Sequence, residues 1–83
     1  MSAVHMKLTY DPRHNIAYIR LHEKREAVDT IRLSDEVNVD IAPDGTVYGI
    51  ELLNANEQLQ AEDGPTLVIV NEDDGKRQEV SLL

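Results

Sequence analysis

The sequence predicts a β-dominated α+β fold, an antiparallel meander of six to seven short strands with one short helix near residues 54–61. Two observations lead to this fold class. Apolar and polar residues alternate with a period of two along most of the chain, which is typical of strands with one buried face. Clusters of Pro, Gly, Asn and Asp interrupt the alternation at short intervals, which is typical of the turns between such strands.

The first two strands are predicted to form a hairpin. Residues 6–10 alternate apolar and polar side chains. Residues 11–15, Asp-Pro-Arg-His-Asn, predict a turn, because proline fixes φ and both Asp and Asn bond to nearby backbone. Residues 16–22 form the second predicted strand, with odd-numbered side chains on one face and even-numbered side chains on the other. A connection this short favours antiparallel pairing.

The middle of the chain contains three further predicted strands. Residues 27–33 form the weakest of them, and a polar break at 34–36 follows. Residues 37–41 show the cleanest alternation in the chain. Residues 42–45, Ala-Pro-Asp-Gly, predict a turn, because proline presets φ at one position and glycine accepts a positive φ at another. Residues 46–52 are rich in β-branched and aromatic side chains and predict the next strand.

One short helix is predicted after Leu53. Asn54 and Glu57 have the spacing of a capping box, in which the first side chain caps the helix and the second reaches back to it. Residues 62–65, Glu-Asp-Gly-Pro, are expected to end the helix after one or two turns.

A second hairpin is predicted at the C-terminal end of the chain. Residues 66–70 carry a continuous apolar run, which indicates a strand that is covered on both faces. Residues 71–75 form the predicted turn. Residues 78–82 are expected to pair back, with Val80 and Leu82 inward.

The length of 83 residues allows one small domain, predicted to span residues 6–83. Residues 1–5 are expected to be a disordered or non-native extension. No apolar run is long enough to span a bilayer, so we expect a cytoplasmic protein that does not bind membranes. A chain this short buries a small core, and without cysteine it has no disulfides to reinforce it. We therefore expect a homo-oligomer.

Charge and residue types exclude several classes of function. Eight basic and sixteen acidic residues give a net charge of −8. The chain has three tyrosines and neither phenylalanine nor tryptophan. Phosphates would be repelled and few rings could stack on bases, so no nucleic-acid partner is expected. The lack of cysteine excludes thiolate zinc sites and cysteine nucleophiles. Phosphate-binding, dinucleotide-binding and nucleophile-elbow motifs are absent, so no catalytic nucleophile and no cofactor are predicted.

No metal site is predicted either. His5, His14 and His22 are dispersed along the chain and form no His-x-His pair. The acidic run at 72–75 lacks the spacing of a calcium loop. We expect it to be a solvated hairpin turn.

Two motifs resemble those of a known family. They are Tyr10-Asp11-Pro12, which precedes the second strand, and Gly49-Ile50-Glu51-Leu52-Leu53, which follows an Asp-Gly turn and leads into the helix. In this order they are similar to the small bacterial domain-of-unknown-function family DUF2283, and the resemblance covers Met6 to Leu59. One departure is Asn15, where family members more often have aspartate.

The resemblance implies a small sheet protein that self-associates and has no established activity. Some family members are similar in genomic setting to one half of a toxin–antitoxin pair. The resemblance therefore adds an alternative hypothesis, an antitoxin-like neutraliser of a small basic toxin. An acidic surface would favour such a partner by electrostatic steering.

Asp40 and Glu51 are the strongest candidates for chemistry. They lie on strands that are predicted to pair across the turn at 44–45, and two carboxylates on one face can act as acid and base if their environments separate their pKa values. The other interpretation is that both face solvent or pair with arginines such as Arg20 or Arg32. A small acid–base or metal-dependent enzyme is therefore a further alternative.

Apolar side chains on two strands indicate an interaction surface. Tyr18 lies with Ile16 on the face of its strand that should meet solvent, and Tyr48 lies with Ile50 and Leu52 two strands later. Either the helix covers one of these patches or a second subunit does. We therefore predict, ahead of both alternatives, a non-catalytic self-associating or protein-interaction module. Its candidate functional surface consists of Tyr10, Asp11, Tyr18, Asp40, Tyr48 and Glu51.

Overall fold

The structure is a computed structural model that describes residues 6–23, 27–60, 62 and 64–82. Antiparallel strands dominate this part of the chain, and the one α-helix in it is short, which confirms the predicted fold class. The predicted extension at residues 1–5 lies outside the described residues. The elements follow the predicted order, and their bounds are β1 Lys7–Asp11, β2 Ile16–Arg20, β3 Asp29–Arg32, β4 Val37–Ile41, β5 Val47–Leu53, α1 Ala55–Gln58, β6 Thr66–Val70 and β7 Arg77–Ser81.

Five strands form the main sheet in the order β1-β2-β5-β4-β3, and β6 pairs with β7 in a separate two-stranded sheet. All the pairings are antiparallel. The chain follows a meander within β1–β2 and within β3–β4–β5. The two parts join through β2 and β5, which are distant in sequence and set Ile16 against Leu53 and Ala17 against Leu52.

The main sheet has one apolar and one polar face, because side chains alternate between the faces along the strands. The alternation is interrupted once, where the β4–β5 register shifts between Asp40 and Ile41 and skips Tyr48. The register aligns one apolar row across all five strands, formed by Leu8, Ile19, Ile50, Val39 and Ile31. It aligns one polar row on the opposite face, formed by Thr9, Tyr18, Glu51, Asn38 and Arg32. Ile50 and Leu52, predicted to form a patch with Tyr48, thus belong to the core face of the sheet.

The core on the apolar face is thin. The buried apolar residues among those described are Ala17, Val39, Ala42, Ala55 and Pro65. Three of these five are alanine, and no large side chain in the described ranges is fully buried. Short chains bury a small fraction of their surface, so much of this face stays half-exposed.

Helix α1 is one turn long and is capped by the β1–β2 turn. Asn15, with a φ of 61°, accepts hydrogen bonds from Asn56 N at its Oδ1 (2.7 Å) and from Ala55 N at its carbonyl (3.1 Å). Asn54 is the N-cap, but the predicted capping box is wrong. The φ of Asn54 is 53°, whereas a residue whose side chain caps a helix has an extended backbone. The side-chain amide of Asn54 instead donates to Glu57 Oε2 at 2.9 Å.

The β6–β7 hairpin contradicts the prediction that it is covered on both faces. Every residue of both strands is exposed, and the exposed fraction rises from 40% at Leu67 to 52% at Val70. Val80, predicted to face inward, is also exposed, while Leu82 beyond the strand is half-buried. Among the described residues, only the base of the hairpin, at residues 64–67 and Leu82, lines a cleft together with side chains of the main sheet.

Candidate functional site

Three polar side chains, Tyr18, Thr30 and Asp40, meet on the polar face of the main sheet, and we call them the Tyr18–Asp40 cluster. Asp40, on β4, is buried. Its Oδ2 accepts a hydrogen bond from the Tyr18 hydroxyl, and its Oδ1 accepts one from the Thr30 hydroxyl, both at 2.7 Å. The two donors come from β2 and β3. The cluster therefore ties β4 to its neighbour β3 and, across β5, to β2.

Gly49, on β5, makes this geometry feasible. It lies opposite Arg20 of β2 on one side and Asp40 of β4 on the other. A Cβ atom at position 49 would overlap the hydroxyl end of Tyr18 and would lie 2.8 Å from Tyr18 Cε2. Glycine inside a strand often marks the close approach of another group. Here it lets the ring of Tyr18 cross β5 and reach Asp40.

Glu51 lies on the same face but belongs to a separate pair. Its Oε1 accepts a hydrogen bond from Asn38 Nδ2 at 2.9 Å, and the two residues are directly opposed in the register. Asp40 and Glu51 therefore share one face of neighbouring strands, yet they bind different side chains. Arg32, one of the suggested carboxylate partners, donates instead to Asp35 Oδ1 at 2.6 Å.

The electrostatics of the cluster keep Tyr18 protonated. Burial, together with the hydrogen bond to the Asp40 carboxylate and its charge, raises the pKa of Tyr18 to about 12. At neutral pH the phenol is therefore a hydrogen-bond donor. Both oxygens of Asp40 accept hydroxyl hydrogen bonds from neighbouring strands. The arrangement is suited to holding three strands in place.

Tyr10 and Asp11 lie elsewhere, beside helix α1. The Tyr10 hydroxyl donates to Asn56 Oδ1 at 2.6 Å. Asp11 Oδ1 accepts a hydrogen bond from His14 N at 3.2 Å, and its Oδ2 lies 2.6 Å from His14 Nδ1. These bonds to His14 lower the pKa of the Asp11 carboxyl. Both residues thus organise the β1–β2 turn and its contact with the helix.

Tyr48 lies apart from both groups, near the start of β5. Its ring centroid is 5.7 Å from that of His22, and its carbonyl accepts a hydrogen bond from Leu21 N at 2.9 Å. The six residues of the predicted functional surface therefore fall into four groups: Tyr18 with Asp40, Glu51 with Asn38, Tyr10 with Asp11 beside helix α1, and Tyr48 beside His22. The predicted surface did not include Thr30, Asn38 or Gly49. The sequence offered one signal for this site, which is the glycine at position 49 inside an otherwise regular strand.

The second candidate site is apolar. An open cleft of about 450 Å³ lies between the main sheet, the end of helix α1 and the base of the β6–β7 hairpin. Leu8 and Leu52 line it from the sheet, and Pro65 and Leu82 line it from the hairpin. Exposed apolar side chains continue from this cleft, which Leu67 also lines, along β6 and β7, and we call them the hairpin surface: Leu67, Val68, Ile69, Val70 and Val80. Sequence reasoning noted the apolar run at 67–70 but did not include it in the functional surface.

In the described part of the chain, no group of three or more His, Asp or Glu side chains could hold a metal ion, and His5 lies outside that part. No helix found in those ranges is long and apolar enough to cross a membrane.

Comparison with known proteins gives one match. A family described as "Protein of unknown function (DUF2283)" matches residues 7–56. This segment covers more than half of the chain, from β1 into helix α1, and it contains the whole Tyr18–Asp40 cluster and Gly49. Comparisons with curated proteins and with solved structures found no match.

Proposed function

Since the chain belongs to the DUF2283 family of proteins of unknown function, we propose that it is a non-catalytic, self-associating module. In this proposal the main sheet, locked by the Tyr18–Asp40 cluster, is a rigid scaffold. The hairpin surface makes the contact with a second copy of the chain.

The exposure of the β6–β7 hairpin is the observation that carries the proposal. Leu67 and Ile69 lie on one face of β6, Val68 and Val70 lie on the other, and all four are exposed. A two-stranded hairpin is marginally stable in water unless its apolar side chains pack against something. Contiguous exposed apolar patches on soluble proteins mark interaction sites. A second subunit would supply the packing that a single chain lacks.

The polar face supports the non-catalytic part of the proposal. Asp40 and Glu51 accept hydrogen bonds from neighbouring side chains, and neither carboxylate lines the apolar cleft. Binding and catalytic sites usually combine a concave pocket with convergent polar groups. Here the cleft and the carboxylates are separate. The antitoxin-like and enzymatic hypotheses stay predictions, since the arrangement of the described residues favours neither.

A matched pair of variants tests the assignment to the hairpin. Ile69→Lys places a charge on the hairpin surface, and Leu33→Lys makes a similar change at a residue that is 65% exposed outside it. In sedimentation velocity at equal concentration, wild type and Leu33→Lys are expected to sediment as dimers and Ile69→Lys as a monomer. Equal behaviour of the two variants would contradict the assignment, and a monomeric wild type would contradict the proposal.

A further inference from the structure

Strand β6 has an outer edge that pairs with no other strand in the described part of the chain. Backbone hydrogen bonds from Asn71 N to Lys76 O and from Leu82 N to Pro65 O flank the hairpin. Hydrogen-bonded and non-hydrogen-bonded positions alternate along an antiparallel pair, so the odd-numbered residues of β6 bond to β7. The residues that direct their N–H and C=O groups to the outer edge are then Thr66, Val68 and Val70.

The composition of β6 distinguishes it from the other edge strands. Proteins oppose unwanted pairing of sheet edges by placing charged side chains on them. The other edge strands follow this rule, with Lys7 and Asp11 on β1, Asp29 and Arg32 on β3, and Arg77 and Glu79 on β7. Strand β6, Thr-Leu-Val-Ile-Val, has neither a charge nor a proline. The edge of β6 therefore lacks the charged residues and prolines that prevent pairing with a strand of another chain.

We infer that β6 of one chain pairs antiparallel with β6 of a second copy, about a two-fold axis at Val68, to form a continuous four-stranded sheet. The inference rests on the proposed function and names the part of the hairpin that makes the contact. Because the interface is isologous, each chain presents the same strand to the other and the assembly closes as a dimer.

The register that the axis defines matches the chemistry of the strand. Val68 faces its own copy, and Thr66 of each chain faces Val70 of the other, so that all three outward-directed positions form hydrogen-bonded pairs. About six backbone hydrogen bonds join the chains in this register. Cross-strand neighbours on both faces are β-branched or aliphatic, which is a favourable combination in a sheet.

The distribution of charge favours the antiparallel arrangement. The chain has a net charge of −8, and the β6–β7 turn contains Glu72, Asp73 and Asp74. Parallel pairing would bring the two acidic turns side by side. Antiparallel pairing separates them by about 17 Å, the length of five strand residues. At physiological ionic strength this exceeds the screening length of about 8 Å.

Amide hydrogen exchange tests the inference without changing the chain. The amides of Thr66, Val68 and Val70 are expected to be at least about tenfold more protected at concentrations where the chain is dimeric than after dilution to the monomer. The odd-numbered amides of β6, bonded to β7, are the internal reference and should change less.

A pair of variants at Val68 supplies the second test. Val68→Pro removes an outward N–H from each chain while leaving the β7 ladder intact, and Val68→Thr keeps the N–H and the branched shape. We expect Val68→Pro to weaken dimerisation by at least about tenfold and Val68→Thr to weaken it much less. A wild-type dimer in which the amides of 66, 68 and 70 exchange freely would overturn the edge pairing and leave self-association standing. A wild type that stays monomeric would overturn both.

Discussion

Tyr18 lies over Gly49, and the lack of a side chain at Gly49 is what allows the Tyr18 hydroxyl to reach the buried carboxylate of Asp40. The two residues sit on adjacent strands, β2 and β5, whose pairing joins the N-terminal hairpin to the rest of the main sheet. The contact therefore stabilises the strand pair of the main sheet whose two members are furthest apart along the chain.

The substitution Gly49→Ala tests this contact. The new Cβ would displace the Tyr18 ring and break its hydrogen bond to Asp40, so we expect the free energy of unfolding to fall by about 1–3 kcal/mol. Urea denaturation at a fixed protein concentration measures the change. The control is the same substitution in a Tyr18→Ala background, where alanine should be neutral or stabilising by about 0.5–1 kcal/mol, as expected inside a strand. An equal loss in both backgrounds would show that Tyr18 is not the cause.

The raised pKa of Tyr18 predicts a specific loss of stability at high pH. The pKa of Tyr18 is about 12 in the folded chain, compared with 10.0 for a tyrosine that is exposed to water, as in the unfolded chain. Folding therefore favours the protonated phenol. This stabilisation is fully present below pH 10 and is lost as the pH rises towards 12. Tyr18→Phe lacks the ionisable group. The difference in thermal midpoint between wild type and Tyr18→Phe should therefore shrink between pH 10 and pH 12, whereas a constant difference would contradict the coupling.

Asn15 should be replaceable by a residue that keeps its acceptor. Asn15→Asp retains an oxygen for Asn56 N, and we expect its stability to stay within about 0.5 kcal/mol of wild type. Asn15→Gly tolerates the positive φ but removes the acceptor, and it should cost about 1 kcal/mol. Chemical denaturation of both variants checks the pair. If Asn15→Asp is destabilised as much as Asn15→Gly, the capping role is wrong.

Self-association predicts that stability depends on protein concentration. A partner that binds the folded state alone raises the thermal midpoint as concentration increases. We expect this rise for wild type and for Leu33→Lys, and we expect it to be abolished in Ile69→Lys. Calorimetry over a hundredfold range of concentration, about 10 µM to 1 mM, measures the effect. A midpoint that is independent of concentration in all three proteins would count against association through the hairpin.

Local patterns predicted most of the elements. Strands β1, β2, β4 and β5 follow from the alternation of side chains and from the turns at 11–15 and 42–45, because both signals lie within a few residues. The placement of Asp40 and Glu51 on one face of two neighbouring strands follows from the same hairpin logic. By contrast, the pairing of β2 with β5 depends on residues 29 to 37 positions apart, from Arg20 with Gly49 to Ile16 with Leu53, and no local pattern specifies it.

The errors have a common physical cause, which is that the partner lies elsewhere in sequence or outside the chain. The capping box at Asn54 was wrong because Asn15, from a distant turn, supplies the cap. The apolar run at 67–70 was read as a strand covered on both faces, yet the described chain leaves it exposed. The uncharged composition of that strand favours pairing at its edge, and in our account a second copy provides the partner strand.

Sedimentation equilibrium of the wild-type chain tests the central claim most directly. The account predicts a mass twice the 9.4 kDa of one chain at high concentration, with reversible dissociation on dilution. A mass of 9.4 kDa at every concentration up to about 1 mM would contradict it, since an association weaker than about 4 kcal/mol would leave the β6 edge unpaired in most chains.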